Sequence, residues 1–112
     1  MALEALWAVT FGARQDYGSG VVVFETGRIF GGDTSFYFIG RYDYNPRDQT
    51  ISGEVEVTRH APGLPFIIPR REGGHYQFSG HVAEPTMILT GRLVEDPRQT
   101  MAVHCRHLHD LP

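Results

Sequence analysis

The sequence contains no lysine and a single cysteine, Cys105, among its 112 residues. One cysteine cannot form an intrachain disulfide, which suits a reducing compartment. Without lysine the chain can form neither a lysine Schiff base nor a phosphate-binding loop of the GxxxxGK type. Enzymes that depend on either device are therefore excluded.

Long apolar runs and concentrated positive charge are also lacking. No stretch approaches the roughly 18 to 20 residues of a membrane span, and Glu4 stands where a secretory signal peptide carries basic residues. The formal net charge is −3, and the arginines are spread among acidic residues, unlike the cationic surface of a nucleic-acid-binding protein. We predict a cytoplasmic protein that neither inserts into membranes nor binds nucleic acid directly.

The length of 112 residues corresponds to one domain, which we place at residues 1–112. Strand-like segments recur about every ten residues, and no stretch of a dozen residues combines a helical period with caps. The predicted strands are Leu6–Gly12, Gly20–Glu25, Arg28–Phe30, Ser35–Asp43, Thr50–His60, Gly74–Ala83, Thr86–Val94 and Thr100–His107. Short strands with short connections predict an all-β fold.

Alternation of side chains is clearest in residues 51–58, where Ile51, Val55 and Val57 share one face and polar residues share the other. Residues typical of tight turns separate neighbouring segments at Glu25–Arg28, Asn45–Asp48 and Glu84–Pro85. Sequential antiparallel pairing of the strands is therefore expected.

Glycines lie near the middle of successive predicted strands, at Gly40, Gly53, Gly80 and Gly91. Glycine weakens a flat strand, but it allows the sharp coiling and the close backbone approach of a small barrel. Closure also removes the unpaired edges that an open sheet would expose. We predict a closed, eight-stranded, up-and-down antiparallel barrel, with a β-sandwich as the alternative.

The interior of such a barrel is a candidate ligand site, because eight strands leave room for one small ligand if the interior is not fully packed. The inward side chains expected to line this apolar cavity are Phe36, Phe38, Ile51, Val55, Tyr76, Phe78, Met87 and Leu89. The segment Ala61–Gly73 contains three prolines and several apolar residues. It is expected to plug one barrel end, or else to form a lid or a subunit interface.

The sequence contains few residue combinations that could form a catalytic or metal-binding site, and each has a simpler structural explanation. Glu54 and Glu56 project from the polar side of one strand, where charges keep a sheet soluble. Gly18–Gly20 fits a turn better than a nucleophile elbow. In the terminal strand Cys105, His107 and His109 share a face and could chelate zinc, but no distant ligand is evident. We predict no catalytic residue, no metal and no cofactor.

The first half of the chain is similar to a known family. The likeness is carried, in order and spacing, by Leu6–Phe11, Gly18–Phe24, Gly27–Asp33, Tyr37–Gly40 and Val55–His60. Over residues 6–60 the chain resembles the GrlR family, and the most specific element is the structural turn Gly31, Gly32 and Asp33. Its glycines can relieve the strain of a tight bend or bulge, and Asp33 can accept hydrogen bonds from backbone amides.

The resemblance implies a lipocalin-like barrel and a regulatory function. GrlR proteins are bacterial negative regulators of type III secretion that dimerise and restrain a transcription activator by binding it directly. The best-known member uses an acidic Glu-Asp-Glu-Asp stretch before its fifth strand for activator binding. This chain has Tyr44, Asn45, Pro46, Arg47 and Asp48 at that place, and this loop is the candidate partner-binding site.

We therefore expect a non-enzymatic regulatory protein that binds a protein partner, a transcription activator, and forms a homodimer. The alternative from another class is a carrier or sensor of a small apolar or lipid-like ligand in the barrel interior. A metal-assisted enzyme built on the C-terminal histidines is a third alternative.

Overall fold

The computed structural model describes residues 3–13, 16–61 and 73–112 of the chain. Its strands are β1 (Ala5–Ala13), β2 (Asp16–Glu25), β3 (Arg28–Gly32), β4 (Phe36–Asn45), β5 (Thr50–Arg59), β6 (Gly73–Ala83), β7 (Thr86–Leu93) and β8 (Thr100–Asp110). Each strand pairs antiparallel with the next, and β8 pairs with β1, so that the sheet closes into a barrel. The prediction of an all-β, eight-stranded up-and-down barrel is confirmed, and no helix occurs among the described residues.

Several strands extend beyond their predicted ends, and two of them do so by three residues or more. β2 begins at Asp16 instead of Gly20, and β8 continues to Asp110 instead of ending at His107. Both extensions pair with β1, since Ala13 lies opposite Asp16 and Ala5 lies opposite Asp110. Pairing satisfies backbone hydrogen bonds and keeps a chain extended even where its residues favour a turn. The predicted turn at Gly18–Gly20 is therefore wrong.

The predicted connections are located where expected. The turns at Glu25–Arg28, Asn45–Asp48 and Glu84–Pro85 join β2 to β3, β4 to β5 and β6 to β7 at one end of the barrel. The Glu84–Pro85 peptide bond is cis. The expected plug or lid at Ala61–Gly73 falls on residues 62–72, which lie outside the described residues.

Inward side chains from all eight strands form one hydrophobic core. In β5 the predicted alternation is confirmed, because Ile51 and Val57 are buried whereas Ser52 and Glu56 are exposed. Period-two alternation thus decides which side chains of each strand leave water, and their burial drives closure.

Large side chains fill the end of the barrel that carries the three turns. Trp7, Ile51 and Met87 are fully buried there. The indole N–H of Trp7 donates a hydrogen bond of 2.9 Å to the carbonyl of Leu3, and its ring lies edge-on to His107 with the ring centroids 5.6 Å apart. We call this closed end the Trp7 end.

Close backbone approach explains some of the mid-strand glycines and not others. Gly40 faces the interior between Ile29 of β3 and Val55 of β5, and a Cβ atom added to it would overlap the carbonyl oxygen of Glu54. At Gly91 an added Cβ would meet the flexible Met101 side chain at 3.3 Å and no backbone atom closer than 4.0 Å. The explanation from close approach is therefore confirmed at Gly40 and wrong at Gly91.

The turn that marks the GrlR resemblance is built differently from the expectation. Gly31 and Gly32 are residues of β3, paired with β2 and β4, and not part of the bend. A Cβ atom at Gly31 would overlap the Val21 carbonyl oxygen, so strand approach requires the glycine. Asp33 begins the turn. Its carboxylate accepts hydrogen bonds from the backbone amides of Ser35, at 2.9 Å, and Phe36, at 2.8 Å.

We expect Gly40→Ala to destabilise the barrel by about 1–3 kcal/mol, because the added methyl group forces the β4 and β5 backbones apart. Urea-induced unfolding followed by the fluorescence of Trp7 measures the change. Ser52→Ala, at an exposed position of β5, is the control and should stay within about 0.5 kcal/mol of the wild type. A Gly40→Ala protein as stable as the wild type would contradict the close approach.

Asp33→Ala is expected to cost about 0.5–2 kcal/mol, because two backbone amides lose their acceptor. Asp33→Asn retains an acceptor oxygen and should lose less. Thermal unfolding of both variants, with the exposed Asp43→Ala as a control, checks this expectation. Equal losses for Asn and Ala at position 33 would show that the carboxylate contacts do not stabilise the turn.

Candidate functional site

An apolar cavity occupies the barrel interior on the side away from the Trp7 end. Its volume is about 110 Å³, and the lining surface that it offers is entirely apolar. Every one of the eight strands contributes to the lining. The sheet itself therefore forms the walls of the cavity, which is partly open.

The cavity is bordered by some of the residues predicted to face it and not by others. Five predicted residues line the cavity, namely Phe38, Val55, Tyr76, Phe78 and Leu89. Three are buried but lie outside the lining, namely Phe36, Ile51 and Met87. Ile51 and Met87 are fully buried in the hydrophobic core, and the Phe36 ring lies against the Arg59 guanidinium, whose carbon is 5.3 Å from the ring centroid. These three side chains therefore contribute to the packed core and do not border the cavity.

Several lining residues lie outside the prediction. They are Val9, Phe11, Val22, Phe24, Ile29, Val57, Gly91, Met101, Val103 and Cys105. All occupy inward positions of their strands, so the alternation of apolar residues could have identified them. Alternation does not show which inward side chains border empty space.

Cys105 lines the cavity from β8 and is 3% exposed. Desolvation by burial raises the pKa of its thiol to about 12. The thiolate is the nucleophile and the metal ligand. A thiol that stays protonated at neutral pH is suited to packing rather than to chemistry.

A second feature is an apolar patch on the outer wall of β1–β4. In one row across the strands Val23, Phe30 and Ile39 are direct neighbours, and in the next row Val21 and Tyr37 flank Gly32. Leu6 and Ala8 of β1 continue these rows. We call this surface the apolar outer face, defined by Leu6, Ala8, Val21, Val23, Phe30, Tyr37 and Ile39.

The exposure of this face is unusual for the barrel. Ile39 is 53% exposed and Val21 is 46% exposed, although both are strongly apolar. The outward positions of β5 carry Ser52, Glu54, Glu56 and Thr58 instead. The outer wall of β1–β4 is therefore apolar where the neighbouring outer wall of β5 is polar.

Arginines border the apolar outer face toward the Trp7 end. Arg28 pairs with Glu25 at 3.1 Å, and Arg41 pairs with Glu54 at 2.7 Å. In both pairs the arginine side chain is more exposed than its glutamate, 66% against 40% and 77% against 31%. The margin of the face therefore presents cationic groups to solvent.

The predicted partner-binding loop is the β4–β5 turn. Asn45, Pro46, Arg47 and Asp48 are exposed, and Tyr44 is half-buried. The side-chain oxygen of Asn45 accepts a hydrogen bond of 2.9 Å from the backbone amide of Arg47. The side-chain nitrogen of Asn45 donates a hydrogen bond of 3.2 Å to the Asp48 carboxylate. The acidic group of the loop thus takes part in the hydrogen bonds of its own turn. The loop begins with the last two residues of β4 and lies at the Trp7 end, and none of its residues belongs to the apolar outer face.

The glutamates considered as a catalytic pair lie on the outer wall. Glu54 borders a polar groove of about 500 Å³ that also includes Arg41 and Arg92. The hydrogen bond from Arg41 is the main cause that lowers the pKa of Glu54, and nearby His75 contributes. A carboxyl group that remains ionised cannot donate a proton as a general acid near neutral pH.

The histidines near the C-terminus do not share one face. Cys105 points inward, His107 packs against Trp7, and His109 is exposed. The reason is a register shift, since Leu6 lies opposite His109 and Trp7 opposite His107, so that Leu108 is bulged out of the pairing with β1. No group of three or more His, Cys, Asp or Glu residues arranged to hold a metal occurs in the described ranges.

No family model matches this chain, and a comparison with curated proteins finds no match. Within the described part of the chain, no helix is long and apolar enough to cross a membrane. Function is therefore inferred from the apolar outer face, from the cavity and from the resemblance carried by residues 6–60.

We expect Cys105 to react with a disulfide reagent at pH 8 about 1000-fold more slowly in the folded than in the unfolded protein, because burial raises its pKa from 9.0 to about 12 and so suppresses its thiolate. Absorbance of the released thiol, with and without denaturant, measures this ratio. Equal rates in both states would contradict the burial.

The same pKa change has a consequence for stability. The folded state retains the Cys105 proton from the ordinary pKa of 9.0 up to about 12, so this contribution is complete below pH 9 and declines as the pH rises through that range. Cys105→Ala should lack this part of the alkaline destabilisation, as measured by urea unfolding at several pH values. An unchanged alkaline loss in Cys105→Ala would contradict the assignment to Cys105.

Proposed function

We propose that this chain is a non-enzymatic regulatory protein that acts by docking another protein on the apolar outer face. In line with the resemblance to the GrlR negative regulators, we propose a transcription activator as the partner. The observation that carries the proposal is the row of outward apolar side chains across β1–β4, in which Val21, Phe30, Tyr37 and Ile39 are exposed and the β1 residues and Val23 are half-buried.

The apolar outer face has the composition of a docking centre. Protein interfaces combine an apolar, often aromatic centre with a polar rim in which arginine is enriched. Here Phe30 and Tyr37 provide the aromatic groups, and Arg28 and Arg41 form part of the rim. Arg28 also lies over the Phe30 ring, 5.9 Å from its centroid.

The rim also indicates the chemistry of the partner. The side chains of Arg28 and Arg41 are more exposed than those of the glutamates that pair with them. Their guanidinium groups are therefore accessible to a docked surface. Carboxylates accept hydrogen bonds from guanidinium groups in bidentate geometry. The complementary partner surface therefore has an apolar patch flanked by acidic side chains.

The β4–β5 loop is less suited than the apolar outer face to be the main docking surface. Its acid, Asp48, is hydrogen-bonded within the turn, and the loop offers little apolar surface. We therefore propose the apolar outer face as the main docking surface, and the loop Tyr44–Asp48 remains a prediction for an additional contact.

Ile39→Lys is expected to weaken capture of the activator at least about tenfold, because a charge replaces a central apolar contact of the kind that dominates binding energy. Tagged protein purified from its own host, followed by mass-spectrometric identification of bound proteins, measures the capture. Ile88→Lys is the matched control, since Ile88 is equally apolar and 56% exposed on the opposite side of the barrel.

Two results would contradict this proposal. One is the absence of any transcription regulator among the proteins captured by the wild type. The other is undiminished capture of the activator by Ile39→Lys.

The homodimer that the resemblance implies is tested with the same variants by sedimentation equilibrium. A dimeric wild type that becomes monomeric in Ile39→Lys but not in Ile88→Lys would assign the face to a second copy of this chain. The activator would then have to dock elsewhere, and the proposal for this face would be wrong.

A further inference from the structure

We propose that the interior cavity is a binding site for an uncharged, apolar molecule between about benzene and indole in size. This inference is independent of the docking proposal, because the cavity is lined by inward side chains and the apolar outer face by outward ones. It names a ligand class that differs from the protein partner.

The volume limits the size of the ligand. An apolar cavity of roughly 150 Å³ stays dry and accepts benzene or xenon, and the cavity here, at about 110 Å³, is of the same order. Pockets for drug-sized ligands run from about 300 Å³ upward. A single small ring therefore suits the volume of this cavity.

The lining selects against charge and favours rings. An ionised group in the cavity would lose its hydration, and the described lining residues present only apolar surface to it, which cannot replace the lost hydrogen bonds. Phe11 and Phe38 meet edge to face with their centroids 6.0 Å apart, which leaves aromatic surface suited to a further ring. Met101 and Cys105 add polarizable, adaptable groups.

Gly91 is the residue that most directly keeps the cavity open. A strand-interior glycine weakens a strand, and an unfilled cavity lowers stability. At Gly40 the neighbouring backbone requires glycine. At Gly91 the atom nearest to an added Cβ would be in the Met101 side chain, at 3.3 Å. The Met101 carbonyl oxygen and the Val103 side chain would each lie 4.0 Å away. Close backbone approach therefore does not account for Gly91, which we place in the proposed site as a lining residue beside the flexible Met101 side chain.

Benzene is the probe for this site, with benzoate as its charged counterpart. Benzene is expected to raise the melting temperature saturably by a few degrees, and benzoate is expected to leave it unchanged. Methyl resonances of Val55, Leu89 and Val103 should shift on addition of benzene. These signals report on the cavity lining, whereas Val21 and Ile39 report on the apolar outer face.

Gly91→Val places a side chain in the cavity and should abolish the benzene effect while leaving the protein folded. Thr90→Val is the matched control, since Thr90 is the adjacent, exposed residue of β7, and it should keep the full effect. If Gly91→Val fails to fold, Gly91→Ala should reduce benzene affinity several-fold.

Three results would overturn the proposal. The first is an unchanged wild-type melting temperature at saturating benzene. The second is a pattern of shifts confined to Val21 and Ile39. The third is a Gly91→Val or Gly91→Ala protein that binds benzene as the wild type does.

Discussion

The pairing of β8 with β1 is the constraint on which the rest of this structure depends. It joins Ala5–Gly12 to Ala102–Asp110, the parts of the chain most distant in sequence, and therefore has a large entropic cost of loop closure. Closure gives both terminal strands a partner on each side, which removes the edges of the sheet. It also separates an inside from an outside, and the bulge at Leu108 adjusts the register so that Trp7 and His107 meet at the closed end.

Once the sheet is closed, alternation assigns each side chain to one of two environments. Most of the barrel follows the usual pattern for an antiparallel sheet, with apolar residues inside and polar residues outside. The strands β1–β4 depart from it, because Val23, Phe30 and Ile39 are apolar at outward positions. Closure of the barrel does not require apolar side chains at these outward positions, and this is why we propose that another protein docks on them.

The interior shows a comparable division. Large side chains pack tightly around Trp7 at one end, while the middle and the opposite side contain a cavity of about 110 Å³. Glycines occur both where strands pack closely and where the cavity lies, for different physical reasons. Gly40 allows two backbones to approach, and Gly91 leaves space that a side chain could occupy. A residue type that looks the same along the sequence thus has different physical roles once the strands are arranged in space.

The sequence by itself determined the fold class, the number and order of the strands and the turns between them, because alternation and turn chemistry are local properties. It also placed Phe38, Val55 and Leu89 among the inward residues. Only the tertiary structure decided which inward residues border the cavity, since empty space depends on how all eight strands close around it. The apolar outer face was likewise invisible in sequence, because Phe30 and Ile39 become neighbours only through the register of β3 with β4.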